Sequence, residues 1–176
     1  MAFTQSESES EPGTPGRFCP KGPLGLGGAP IGNLFERIAD AAADETISAA
    51  WAAGLRYFDT APLYGAGLSE HRLGRALREM PRDAYVLSTK VGRVLSPDAN
   101  VPEIAIRLRR GLTFRVDFDY SADGTFRSIE HSLQRLGMSR IDIVYIHDVA
   151  QDAHGSHGRA SFAMPWRGRR GARSTN

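Results

Sequence analysis

The chain has 176 residues, 41% hydrophobic and 24% charged, with a formal net charge of +2. That is enough for one domain with a real core, and too balanced a charge to imply a polyanionic partner. Cys19 is the single cysteine, so no internal disulfide can form, which fits a reducing compartment.

Residues 1–22 are polar, carry repeated Ser and Glu, and are broken by proline, a composition that predicts a disordered arm. The start lacks the basic and apolar stretches of a signal peptide. No apolar run reaches the roughly 18 residues a membrane span requires. The expectation is a soluble, cytoplasmic protein with no membrane partner.

The folded unit is expected over 23–150. "PLGLGG" reads as a short first strand that ends in a glycine turn. "DETISAAWAAGL" reads as a helix with Asp44 as N-cap, Ile47, Ala50, Trp51 and Leu55 on one face, and Gly54 as its stop. "RYFDT" is a short strand. "SEHRLGRALREM" is a helix capped by Ser69, with Glu70 in the first turn, where the helix dipole favours an acid. Its apolar stripe is Leu73, Ala76, Leu77 and Met80. "YVLSTKVG" is a second clear strand.

An interruption then runs from Arg93 to Asp123. It holds Pro97, Pro102 and the aromatic stretch "FRVDFDYS", and a loop of that length is functional or disordered. "DGTFRSIEHSLQRLG" predicts a helix with Phe126, Ile129, Leu133 and Leu136 inward and Gly137 at its end. "IDIVYIHD" is a strand apolar enough to be covered on both faces. Strand and helix alternate throughout, the pattern of a parallel α/β sheet. After Val149 the pattern stops. Residues 151–176 are expected to form an unstructured basic tail, and the abrupt change in composition is what an out-of-frame segment would produce.

Four polar residues fall at the carboxyl ends of these strands: Asp59, Tyr64 in the following loop, Lys90 and His147. Open α/β sheets and closed barrels place their chemistry on that edge. Each alone has a bland reading, as a salt-bridge partner, a cap or a satisfied polar group. Together they are chemically coherent. A tyrosine hydroxyl ordinarily titrates near about 10, too high for easy proton transfer at neutrality. A lysine beside it favours the phenolate, and an aspartate keeps that lysine charged. A neutral histidine can orient a substrate oxygen. Such a set suits a tyrosine acid/base that reduces a carbonyl or oxidises an alcohol, with hydride carried by a cofactor.

"YFDTAPLYG", "STKVG" and "IDIVYIHD", in this order and spacing, resemble the aldo-keto reductase superfamily. "GLGGAPIGNLF" and "FDYSADG" are similar to its bacterial branch of D-threo-aldose (L-fucose) dehydrogenases. The resemblance implies a TIM (β/α)8 barrel, an NAD or NADP cofactor, and a small carbonyl or sugar substrate. It implies catalytic roles for Asp59, Tyr64, Lys90 and His147. It also implies that Gly28, Ala29 and Asp59 lie against the cofactor, and that Phe118 and Tyr120 wall the substrate pocket. Ordinary loop packing suits those two aromatics equally well.

A full barrel takes about 250 residues, and this sequence supplies about the first four β/α units, a truncated barrel. Such a piece exposes strand edges, so self-association through them is expected. Three other readings stand beside the enzyme. One is a catalytically inactive fragment of the family. Another is nonspecific binding to nucleic acid or an acidic surface through the arginine-rich tail, which carries no recognised module. The last is a metal site from His147, Asp148, His154 and His157. Glycines around the two tail histidines would not hold its geometry, so the expectation is no metal.

Overall fold

The computed structural model describes residues 22–101 and 111–149. The expected N-terminal arm up to residue 21, the basic tail, His154 and His157 lie outside the described residues. In chain order the elements are β1 (Leu26–Gly27), α1 (Asp40–Ala52), β2 (Tyr57–Asp59), α2 (Leu68–Leu77), β3 (Val86–Pro97), β4 (Phe114–Asp119), α3 (Ala122–Leu136) and β5 (Ile143–Ile146). Two 3-10 turns, Pro30–Gly32 and Arg82–Ala84, complete the set.

β1, β2, β3 and β5 form a parallel sheet in that order. Register pairs Gly27 with Asp59, Asp59 with Ser88, and Lys90 with Tyr145. Alternation therefore sends Phe58 and Leu87 to the helix side and Asp59, Ser88 and Lys90 to the other. Phe58 and Leu87 are fully buried with Leu73, Leu77, Ile47, Tyr85 and Leu136 in one apolar core. Trp51 stacks on Phe58, with ring centroids 6.4 Å apart.

β3 continues past the parallel sheet. At Gly92 the backbone turns through φ +97°, and residues 92–97 pair antiparallel with β4. This overturns part of the expected long loop. Phe114, Val116 and Phe118 alternate with Arg115, Asp117 and Asp119, the period of a strand, and the Phe114–Asp119 segment is β4.

Three local expectations also change. α1 begins at Asp40 with Ala39 as N-cap. Asp44 is an interior residue that pairs with Arg75 across to α2 at 2.8 Å. α2 is preceded by Gly67 at φ +96°, and Ser69 is buried, donating to the Gly28 carbonyl at 2.7 Å. In α3 the buried side is Gly124, Ser128, Ser132 and Leu136, while Phe126 is 62% exposed. Small side chains let the helix lie close: a Cβ on Gly124 would strike the Asp119 carboxylate, and Ser128 donates to the Arg93 carbonyl. The caps at Gly54 and Gly137 are as expected, with φ of +88° and +64°.

β5 was expected to be covered on both faces. Instead Val144, Tyr145 and Ile146 are 39%, 45% and 59% exposed. Among the described residues β5 pairs with β3 alone.

One buried ion pair ties the layers together. Glu70 of α2 is fully buried; it accepts from Thr89 of β3 at 2.8 Å and from Arg135 of α3 at 2.6 Å. Removing one partner of such a pair leaves an uncompensated charge and costs about 3–5 kcal/mol. Glu70→Gln should therefore lower unfolding free energy by about 3 kcal/mol, read as a drop in urea midpoint at unchanged slope. An unchanged midpoint would show that the pair contributes nothing net.

Candidate active site

The carboxyl edge of the parallel sheet gathers all four expected residues. Asp59 is the last residue of β2, Lys90 is close to the kink in β3, and His147 directly follows β5. Tyr64 sits in the turn after β2, where a Cβ on Gly32 would collide with its backbone. That close approach packs the first and second strand-end loops against each other.

Lys90 Nζ donates to Asp59 Oδ2 at 2.5 Å and to the Thr60 carbonyl at 2.9 Å. Its ammonium lies 4.9 Å from the centroid of the Tyr64 ring, within cation–π range. The His147 ring meets Tyr64 edge-on, with centroids 5.7 Å apart. The charge order is thus Asp59, Lys90, Tyr64, with His147 edge-on against the Tyr64 ring.

Two residues missed in the sequence complete the support. Ser88 Oγ donates to Asp59 Oδ1 at 2.6 Å, so both carboxylate oxygens are engaged. Ser88 stands two residues before Lys90 and so shares its face; that period was the signal available. Behind Ser88, Tyr57 lies 3.1 Å from its hydroxyl and 3.2 Å from the Tyr145 hydroxyl. Burial pushes the Tyr57 phenol up to about 12, so it remains a neutral hydrogen-bonding group.

Of the residues expected at the cofactor, Gly28 has a structural role of its own. Its amide donates to the Asp59 carbonyl at 2.7 Å, and a Cβ there would meet Ser69 Oγ at 2.6 Å. Ala29 accepts from the Gly32 and Leu34 amides. Gly27 is different: a Cβ there would meet no atom within 4 Å. It borders an open groove of about 440 Å³ lined by Gly22 to Gly27, Tyr57 and Asp59. Of the two expected pocket aromatics, Phe118 is 48% exposed and stacks on Tyr120. The Tyr120 hydroxyl donates to the His147 carbonyl at 2.8 Å. Among the described residues there is no cluster of three metal-ligating side chains, and no helix is long and apolar enough to cross a membrane.

The model of the Aldo/keto reductase family matches residues 23–163. The chain belongs to that family. It is 47% identical over 135 residues to a D-threo-aldose 1-dehydrogenase of a Pseudomonas species, covering 71% of this chain and 39% of that protein. It is 45% identical over 140 residues to the pyridoxal 4-dehydrogenase of Microbacterium luteolum, covering 74% and 41%. The solved glycerol dehydrogenase of Gluconobacter oxydans superposes with a TM-score of 0.53 at 31% identity, covering 69% of this chain and 34% of that one. The sheet is thus part of a TIM-barrel aldo-keto reductase fold. The chain spans about two fifths of the length of the curated relatives it matches.

His147 is 7% exposed, and its Nδ1 has no hydrogen-bond partner. Burial pushes its imidazole down to about 4; the Asp148 carboxylate opposes that, and the Arg93 and Lys90 cations reinforce it. The folded state therefore holds His147 neutral where the unfolded chain, near about 6.5, would bind a proton. Stability from this source is fully present above pH ~6.5 and is lost as pH falls toward ~4, on the order of 3 kcal/mol. Urea unfolding at a series of pH values should show that slope, and His147→Gln should flatten it. An equal slope in the variant would place the pH dependence elsewhere.

Proposed function

We propose that this chain carries the acid/base half of an NAD(P)-dependent oxidoreductase that interconverts a small carbonyl, such as an aldose, and its oxidised or reduced form. The observation that carries the reading is the convergence of Asp59, Lys90, Tyr64 and His147 on one sheet edge, ordered by the 2.5 Å ion pair. Two relatives of nearly equal identity bear the names of a sugar dehydrogenase and a pyridoxal dehydrogenase, which supports carbonyl chemistry as the shared class.

In this reading Tyr64 passes a proton to the carbonyl oxygen in reduction, or takes one from the hydroxyl in oxidation. Lys90 is held in place by Asp59 and the Thr60 carbonyl, so its charge stabilises negative charge developing on the phenol. Asp59 is held in turn by Ser88. His147, held neutral by burial, orients the oxygen without acting as an acid. When bound, the nicotinamide supplies or accepts the hydride. The inner side of β1 fits a flat ring, since Gly27 presents no side chain there; Gly28, Ala29 and Asp59 are the residues that would hold it. Phe118 and Tyr120 form one wall of the substrate side.

A second reading, an inactive fragment, is favoured by one observation: the partial exposure of Val144, Tyr145 and Ile146 on β5. The same open edge supports self-association with a second copy, visible as a concentration-dependent mass in light scattering.

Thermal unfolding with saturating NADP(H) or NAD(H) separates these readings. A native-state ligand at about 100 times its dissociation constant adds ~2.7 kcal/mol, so the transition should move up. Tyr64→Phe should keep that shift and lose about 10²–10⁴-fold in turnover of an aldose or aldehyde. Absence of any shift with either cofactor would leave the inactive fragment as the reading that stands.

A further inference from the structure

The hairpin that β3 and β4 build beyond Gly92 reaches back to the end of β5. Gly92 turns the chain at φ +97°, and the space a Cβ would fill is taken by the Tyr120 ring. From there the Tyr120 hydroxyl donates to the His147 carbonyl at 2.8 Å and lies 3.5 Å from the Asp148 carbonyl. The next residue, Arg93, is 8% exposed. Its Nη2 donates to Asp148 Oδ2 at 2.5 Å, and its guanidinium lies over the Phe118 ring, 4.5 Å from the centroid. Phe118 in turn stacks on Tyr120, at 6.3 Å and 21°. Asp148 is in the left-handed region, φ +49°, a conformation that a non-glycine residue keeps only when its surroundings enforce it.

We propose that Arg93 and Tyr120 are positioning residues for His147. Tyr120 fixes the backbone of the His147–Asp148 dipeptide, and Arg93 binds Asp148 Oδ2, the same oxygen that stands 3.7 Å from His147 Nε2, so that the carboxylate is shared with the guanidinium rather than given wholly to the imidazole. The hairpin thereby keeps the histidine free to meet a substrate oxygen. The inference rests on the catalytic reading of His147, but it makes a claim that turnover is not needed to test.

The groups facing His147 are Asp148 on its own segment, Arg93 and Lys90 from β3, Asp59 from β2, Tyr64 from the turn after β2, and Tyr120. Removing the Arg93 charge takes away a cation that disfavours imidazolium and releases the Asp148 carboxylate, which favours it. Both changes act upward.

The test is NMR titration of the His147 ring in the labelled full chain, assigned with His147→Gln. Arg93→Gln should raise the midpoint by about one unit or more. Arg93→Lys should restore a low value, and adding Asp148→Asn to Arg93→Gln should reverse most of the rise. An unchanged midpoint in folded Arg93→Gln overturns the role of Arg93. Should that variant fail to fold, Tyr120→Phe decides, because it keeps the ring beside Gly92 and removes only the hydroxyl. The His147 amide, bonded to the Val91 carbonyl at 2.9 Å, should then exchange with solvent several-fold faster. Unchanged exchange overturns the clamp. Loss of turnover in His147→Gln tests the catalytic reading separately, since the NMR readouts do not depend on it.

Discussion

The ion pair between Asp59 and Lys90 is the constraint on which the rim is built. A parallel sheet with one face on the helical core must send alternate side chains the other way. At the carboxyl end of β2 and β3 those side chains are an acid and a base rather than aliphatic residues. Side-chain exposures of 26% for Asp59 and 14% for Lys90 leave each charge short of water, so each depends on its partner. The pair spans adjacent strands whose register sets Asp59 beside Ser88, and Ser88 and the Thr60 carbonyl take up further hydrogen-bonding capacity. A one-residue slip of that register would send Lys90 to the apolar side and Leu87 and Thr89 to the rim. The apolar core under Phe58 and Leu87 and the chemistry above them are thus fixed by the same alternation.

That coupling explains what could be read from the sequence. Asp59, Tyr64, Lys90 and His147 were legible because strand ends are marked by a switch from apolar alternation to turn residues, and the structure brings all four together. The strands and their order were legible for the same reason. Ser88 was legible in principle, two residues from Lys90. The antiparallel β4 was also written in plain period-two alternation, but Pro97 and Pro102 ahead of it in a long interruption made the stretch look like a loop.

Other misreadings have a different cause. The buried residues of α3 are Gly124, Ser128, Ser132 and Leu136, three of them chosen for closeness to β3 rather than for hydrophobicity, so the expected apolar stripe placed Leu136 correctly and Phe126 on the exposed side. The caps at Asp44 and Ser69 failed because tertiary partners, Arg75 for one and the Gly28 carbonyl for the other, claimed side chains that local rules assign to helix ends. The contacts of Arg93 and Tyr120 with the His147–Asp148 segment join residues 55 and 27 positions apart, and no local pattern reports such distances.

Asp59, Tyr64, Lys90 and His147 and the contacts that hold them are unequally distributed along the fold. Every member of the charge order, and each side chain seen to hold it, lies between β2 and the end of β5. Among the described residues, Val144, Tyr145 and Ile146 stay partly open, on a strand of the kind that a barrel covers on both faces. Rim geometry among the described residues rests on β2–β3 pairing, the buried Glu70–Arg135 bridge and the hairpin beyond Gly92. The outer edge of β5 has no such internal support. Its last residue before His147 is the most exposed of the strand, and the hairpin's grip on the following dipeptide is what the described residues offer in place of a neighbouring strand. The histidine is accordingly the member of the set whose position depends most on contacts outside the sheet, and Asp59 with Lys90 the members that depend on them least.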